Sequence, residues 1–240
     1  MSRRSESGFT LVELVSVIVI LGVLVIGTTR FIGTSVQIYT EGNQRTELIS
    51  QMRFLLLRLE REIANAVPNS FVLEDSCFSF YPIKNAGIYL GNISGNALNV
   101  VDFDGTVSAG VDSVVIYPTS VSSIEVNAIG IDAIDDQGTA NSLYTWQLAT
   151  TPSTSSPGKR YYVLDDKTEF CLETLSGQPA LVRKQNGQQA ALAIGVSNWV
   201  VAYQGSTLSR NALVRFDVTL SSPRNERLAM SHEVHIANVP

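Results

Sequence analysis

The chain is poor in the residues from which catalytic and metal sites are built. It has two histidines, two cysteines, three methionines and two tryptophans among 240 residues. His232 and His235 stand three positions apart in a stretch that alternates like a strand. Alternation sends them to opposite faces, so they do not chelate one metal, and surface or edge-strand positions are expected. His232-Glu233-Val234-His235 also lacks the two-residue spacer between Glu and the second His that a zinc-protease helix requires. No Ser/His/Asp order, Cys/His pair or phosphate-cradling glycine loop stands out. Asp, Glu, Lys and Arg make up 16% of the chain, and the formal net charge is −5. No basic cluster lies beyond residue 70, which argues against nucleic-acid binding. No enzyme activity and no cofactor are expected. Proline is also scarce early: the first of eight is Pro68, so nothing upstream of it removes a helical N–H.

Apolar residues fill that proline-free region. A short basic leader, Met1 to Gly8 with Arg3 and Arg4, meets a run from Phe9 to Ile26 that contains a single carboxylate, Glu13. A lone acid in a membrane-length segment costs roughly 2.5–3.5 kcal/mol on insertion scales, so it normally has a partner. A secretory signal peptide would also begin basic and then apolar. It should show small residues at a cleavage site, whereas the chain continues Gly27-Thr28-Thr29-Arg30-Phe31-Ile32-Gly33. A plain anchor accounts for the length, since about 20 apolar residues span the hydrocarbon and Arg30 can snorkel. It does not account for Glu13.

The join Gly8-Phe9, followed by Thr10-Leu11-Val12-Glu13-Leu14, resembles the processing site of type IV pilins and pseudopilins. The likeness covers about the first 25 residues. In that family a membrane-embedded aspartyl peptidase cuts after the glycine on the cytoplasmic side and methylates the new amino terminus. The resemblance therefore implies cleavage between Gly8 and Phe9, N-methylation of Phe9, and an assembly role for Glu13. The chemistry agrees. Cleavage creates a cationic amine, and Glu13 lies four residues later on the same helical face. A buried amine and carboxylate from adjacent subunits would neutralise each other, and removing either would strand a charge. Arg3 and Arg4 hold the leader in the cytoplasm, so residues after Gly33 are expected in the periplasm of a Gram-negative cell.

Past the membrane the helical pattern persists. Leu48, Met52, Leu55, Leu59, Ile63 and Ala66 recur at spacings of three and four, marking one apolar face. Arg45, Glu47, Arg53, Arg58, Arg61 and Glu62 take much of the rest, and Arg58 to Glu62 read as a solvated face with i,i+4 pairs. Gly27, Gly33 and Gly42 are candidate kinks. Pro68 ends the pattern, and Asn69-Ser70 supplies turn chemistry. A helix from Phe9 to Ala66 would extend about 87 Å.

From residue 71 short alternating runs take over: 113–117, 143–148, 160–164 and 199–203. Ala212–Leu220, a turn at Ser221–Glu226, and Leu228–Ile236 form the clearest hairpin. Thr150–Gly158 reads as a polar surface loop. The expected fold is α+β: a long N-terminal helix, transmembrane and then amphipathic, packed on a mainly antiparallel β-sheet head, the type IV pilin fold. Its parts are a cleaved leader (1–8), a membrane and filament-core helix (9–33), the amphipathic half of that helix (34–68) and one periplasmic head (69–240). In an oxidising compartment a Cys77–Cys171 bridge is the expected state, two separate buried thiols being the alternative. Asp132, Asp135 and Asp136 could coordinate calcium, but their spacing is not that of an EF-hand, and a solvated acidic turn is the plainer reading. Asp102 and Asp104 beside Gly105 read as a turn.

A narrower resemblance is to the O-type minor pilins of the mannose-sensitive haemagglutinin (MSHA) pilus. It is carried by Leu59-Glu60-Arg61-Glu62-Ile63 through Val67-Pro68-Asn69-Ser70, by Cys77 to Lys84 with Gly87-Ile88-Tyr89, by Ser156 to Asp165 preceding Cys171, and by His232 to Pro240. Lys167, in Asp165-Asp166-Lys167-Thr168, departs from the proline-valine of that subgroup. The resemblance implies a low-copy subunit that primes assembly or sits near the tip. Its partners would be the prepilin peptidase/methyltransferase, other minor and major pilins and the inner-membrane assembly platform. A J-type pseudopilin of type II secretion has the same architecture, and a pilus-borne adhesin module is the third reading.

Overall fold

The computed structural model describes residues 10–136, 142–207, 210–223 and 226–236. The chain divides into two compact units, Met1–Glu47 and Leu48–Pro240. From Leu11 onward the first is helical. It belongs to α1, Leu11–Ala64, which continues unbroken through Gly27, Gly33 and Gly42, where an added Cβ meets nothing within 4 Å.

In the second unit the apolar face of α1 is the spine of the main core. Leu48, Met52, Leu55, Leu56, Leu59 and Ile63 are buried with Phe71, Phe78, Phe80, Phe170 and Phe216. The helix stops at Ala64, short of the expected Ala66. The next residues pair with the segment after Phe80 instead: Val67 N–H donates to Tyr81 O (2.8 Å), Ile83 N–H to Asn65 O (2.9 Å), and Ala66 bridges Pro82. Pro68 disfavours helical geometry at Val67, and these strand-like bonds satisfy the freed groups.

Two open sheets flank that spine. One has five strands in the order β1-β2-β9-β10-β11: β1 Val72–Glu74, β2 Cys77–Phe80, β9 Thr168–Leu175, β10 Gln178–Gln185 and β11 Gln188–Ile194. The other is the meander of β12 Val196–Gln204, β13 Ala212–Ser221 and β14 Arg227–Ile236. In β13 each second residue from Ala212 to Leu220 is buried, the period-2 pattern of a half-buried strand. Asn186 and Gly187 at φ 51° and 68° make the tight β10–β11 turn, a backbone shape that Asn-Gly favours.

Between β2 and β9 the chain makes an excursion. Six strands close into an antiparallel barrel in the order β3-β4-β7-β6-β5-β8: β3 Ile83–Tyr89, β4 Ala97–Val101, β5 Ser113–Ile116, β6 Ile129–Asp136, β7 Leu143–Leu148 and β8 Arg160–Leu164. The barrel has its own core, with Trp146 edge-on to Tyr161 at 4.9 Å and Tyr89, Leu98, Val100 and Val163 around them. Its two ends are neighbours, because β3 pairs with β8 from Ile83↔Leu164 and β2 pairs with β9 from Phe80↔Thr168. At that neck Cys77 and Cys171 face each other across β2 and β9 and are joined by a disulfide. The expected single sheeted head is therefore two sheets on the helix plus an inserted barrel.

Several expectations are corrected. Asp132, Asp135 and Asp136 lie in strand β6, not in a turn. The one potential metal-ligating group among the described residues is Cys77, Glu169 and Cys171, whose cysteines are already bonded to each other. A short helix, α2 Val121–Asn127, has no counterpart in the sequence pattern; Ser120 caps it by accepting from Ser123 N–H, and Ser123 returns the bond in a capping box. Asp102 does sit at a turn, but buried: it accepts from Asn85 Nδ2 (2.9 Å), Asp104 N–H (3.1 Å) and Gly105 N–H (3.2 Å). The 150–158 loop is anchored by buried Ser156, whose N–H donates to Tyr89 Oη at 2.9 Å. The Arg58–Glu62 face is not merely solvated. Glu62 pairs with Arg58 one turn away and with Arg183 of β10 at 2.7 Å, and Glu60 meets His232 Nε2 at 3.0 Å.

Candidate assembly helix

The motif and the lone carboxylate both fall in the first part of α1. Its residues from Leu11 to Ile38 are exposed, including large side chains such as Leu11, Ile18, Val23 and Phe31. Among the described residues α1 is the one helix long and apolar enough to cross a membrane. An apolar all-round helix in water is unstable against burial, so this surface is made for lipid or for other helices.

Polar groups within it are handled locally. Ser16 Oγ donates to Val12 O (2.8 Å), Thr28 Oγ1 to Leu24 O (2.8 Å) and Thr34 Oγ1 to Arg30 O (3.0 Å), and Thr29 Oγ1 donates to Val25 O. A hydroxyl that bonds back to its own helix needs no water and tolerates hydrocarbon. Thr10 caps the start: its Oγ1 accepts from Glu13 N–H at 3.3 Å, and its carbonyl accepts from Leu14 N–H at 3.2 Å. Glu13 is in the first turn, where the helix dipole favours an anion. Its carboxylate receives no hydrogen bond or ion pair from any described residue. Between Leu11 and Ile26 it is the single ionisable side chain among the described residues, left to be satisfied from outside. Gly8 and Phe9, the expected cleavage pair, lie outside the described residues.

The first segment also matches a known description: "Prokaryotic N-terminal methylation motif" covers residues 3–29. This chain carries the prepilin methylation motif. With that motif on a long apolar helix, followed by mainly antiparallel sheets, the architecture is α+β and type IV pilin-like. No curated protein matches the chain. No solved structure matches it either.

Among its described residues the head adds polar clusters but no second motif-bearing site. Tyr161 Oη lies 3.0 Å from Val101 O and 3.2 Å from Asn85 Oδ1, and Asn85 Nδ2 continues to Asp102 and to Thr106 Oγ1 (3.2 Å). Burial first, and then the charges of Asp102 and Asp104, push the Tyr161 hydroxyl far above its ordinary pKa. It stays neutral and pins the turn after β4 to the barrel. Lys84 Nζ bonds both Asp112 carboxylate oxygens at 2.7 Å, and Ser108 N–H donates to the same carboxylate at 2.7 Å. Both clusters are fully paired and hold the barrel together. Single-sequence reading missed them because the bonds that join their distant parts, Asn85 to Asp102, Lys84 to Asp112 and Tyr161 to Asn85, span 17, 28 and 76 positions. His232 is likewise placed on Glu60 by a strand that returns 172 residues later.

Proposed function

We propose that the chain is a minor, low-abundance type IV pilin of an MSHA-type pilus that primes assembly or sits near the tip. The observation that carries this is the methylation motif over residues 3–29, set on an exposed apolar helix with one carboxylate that no described residue satisfies. On this reading the prepilin peptidase cuts between Gly8 and Phe9 and methylates Phe9. The single-pass chain waits in the inner membrane with its amino terminus cytoplasmic and its head periplasmic. It then moves into the pilus through the assembly platform, beside other minor and major pilins. The helix exchanges lipid for neighbouring helices, and Glu13 exchanges an unpaired state for the ammonium of an adjacent subunit. A head that carries an inserted barrel is bulky for a position repeated along a filament, which favours the minor role. Retention of Glu13 favours a position with a neighbour above it.

The barrel's separate core supports a second reading, a binding module carried by the pilus. A J-type secretion pseudopilin shares the motif and the helix. Intact-mass measurement of the mature protein tests the common root: loss of Met1–Gly8 with gain of one methyl group is expected. A mature chain that still starts at Met1, or that begins after Ile26, would refute the processing route. Deletion that leaves piliation intact but abolishes binding by the pili would favour the module over the assembly role.

A further inference from the structure

The periplasmic part of α1 carries a second exposed surface that its own head does not use. Phe54 and Leu57 are 57% and 65% exposed, while their neighbours Leu55, Leu56 and Leu59 are buried. At about 100° per residue Arg53, Leu57, Arg61 and Phe54 fall within an arc of about 100°. Among the described residues Arg53 and Arg61 form no ion pair, whereas Glu62 and Glu60 of the same helix are taken up by Arg183, Arg58 and His232. The result is an apolar pair flanked by two uncommitted guanidiniums. Phenylalanine and arginine are enriched at the centres of protein interfaces, and two large apolar side chains standing in water without a partner call for one.

The same head offers the complementary surface. A cleft of about 440 Å³ opens at the foot of the barrel, beside α2. Its lining includes Glu125, Asp165 and Asp166, together with Leu164 and Ala128. Lys84 and Asp112 also line it but cancel each other. Val111 in its lining is 78% exposed, and Val126, next to Glu125 in α2, is 81% exposed. Two uncommitted positive charges on an apolar helix face thus have a counterpart in three carboxylates, none of them in an ion pair among the described residues, beside the exposed Val111. The two surfaces share no residue.

We propose that the Arg53/Phe54/Leu57/Arg61 face of one copy docks on the Glu125/Asp165/Asp166 cleft of a second copy of this chain. Such a contact is heterologous: each copy offers one surface upward and the other downward, the kind of contact that propagates along a helical array. It rests on the assembly reading above and names a neighbour for it. A low-copy subunit can still occur as two or more consecutive copies.

The test uses full-length protein in cell membranes, expressed as two differently tagged copies, one with Leu57→Cys and the other with Val126→Cys. Both positions are exposed, so neither substitution disturbs the core. Mild oxidation should join the two tags. Adding Arg53→Glu with Arg61→Glu to the first copy should cut the yield at least tenfold, and Glu125→Arg with Asp166→Arg in the second copy should restore it. Absence of the cross-link, or a yield that charge reversal does not change, overturns the proposal, as does cross-linking only to a different protein. The intact mass of the same samples separates the two ideas. A cut and methylated chain without the cross-link overturns the contact alone, and a cross-linked chain that is not cut overturns the processing route alone.

Discussion

Replacing Glu13 by alanine separates three effects that act at different stages. The first is on the helix itself. The capping bond to Thr10 Oγ1 uses the Glu13 backbone N–H, so alanine keeps it. What is lost is an anion in the first turn, worth about 0.3–1 kcal/mol. The second is on insertion, where removing a carboxylate from an apolar segment relieves part of a cost of roughly 2.5–3.5 kcal/mol. These two oppose each other, and the second is larger, so the variant should enter the membrane at least as well as the parent. The third acts on assembly. If an adjacent ammonium is buried against Glu13, alanine leaves it uncompensated at a cost of about 3–5 kcal/mol. At about 1.4 kcal/mol per tenfold that is two to three and a half orders of magnitude in association. The assay is quantitative immunoblotting of sheared pili against inner membrane. Expected are normal membrane levels, normal cleavage and near-complete loss from the pilus fraction, with Glu13→Gln behaving like Glu13→Ala because charge is what counts. Parent-like incorporation of either variant would refute the pairing argument.

The head supplies further expectations. A Cβ at Gly87 would lie 2.6 Å from Tyr161 Oη and 2.8 Å from Val101 O; with that hydroxyl's bonds disturbed as well, Gly87→Ala should cost about 3 kcal/mol. Gly130→Ala, whose nearest neighbour would be 3.9 Å away, should be neutral in the same denaturation assay, and equal effects would refute the packing account. Cys77→Ala with Cys171→Ala releases a loop with a sequence separation of 94 and should cost about 2–4 kcal/mol. Hydrogen exchange should quicken first in β2 and β9 while the barrel core stays protected; uniform loss of protection would show that the barrel does not stand on its own core. The raised Tyr161 pKa, like those of Tyr81, Tyr162 and Tyr203, makes stability fall at alkaline pH. Because the native state holds its proton longer than the unfolded chain, this contribution is intact below the ordinary tyrosine pKa and is lost as pH rises through the elevated native value. Tyr161→Phe should flatten that alkaline slope, measured by unfolding at a series of pH values above about 10.

The open helix and the final hairpin were readable because their determinants are local. A proline-free apolar run, a three-and-four spacing and a period-2 alternation each declare an element without reference to the rest of the chain. The same holds for the methylation motif over residues 3–29, which is recognised within one short segment. The acidic trio misled for the converse reason. Asp132, Asp135 and Asp136 have turn-like composition, but pairing with β7, Asp135↔Thr145 and Asp136↔Tyr144, makes them strand.

By itself, then, the sequence determined the apolar helix, its lone carboxylate, its processing motif and the β character of the head. Only the tertiary structure decided that the head is split into two sheets and an inserted barrel, that the expected Cys77–Cys171 bridge lies across strands at the neck between them, and that Phe54 and Leu57 remain uncovered while Leu55 and Leu56 do not. The physical reason is range: periodicity and caps are written within a turn or two of backbone, whereas strand order, buried polar networks and unpartnered faces depend on which distant segments come to lie side by side.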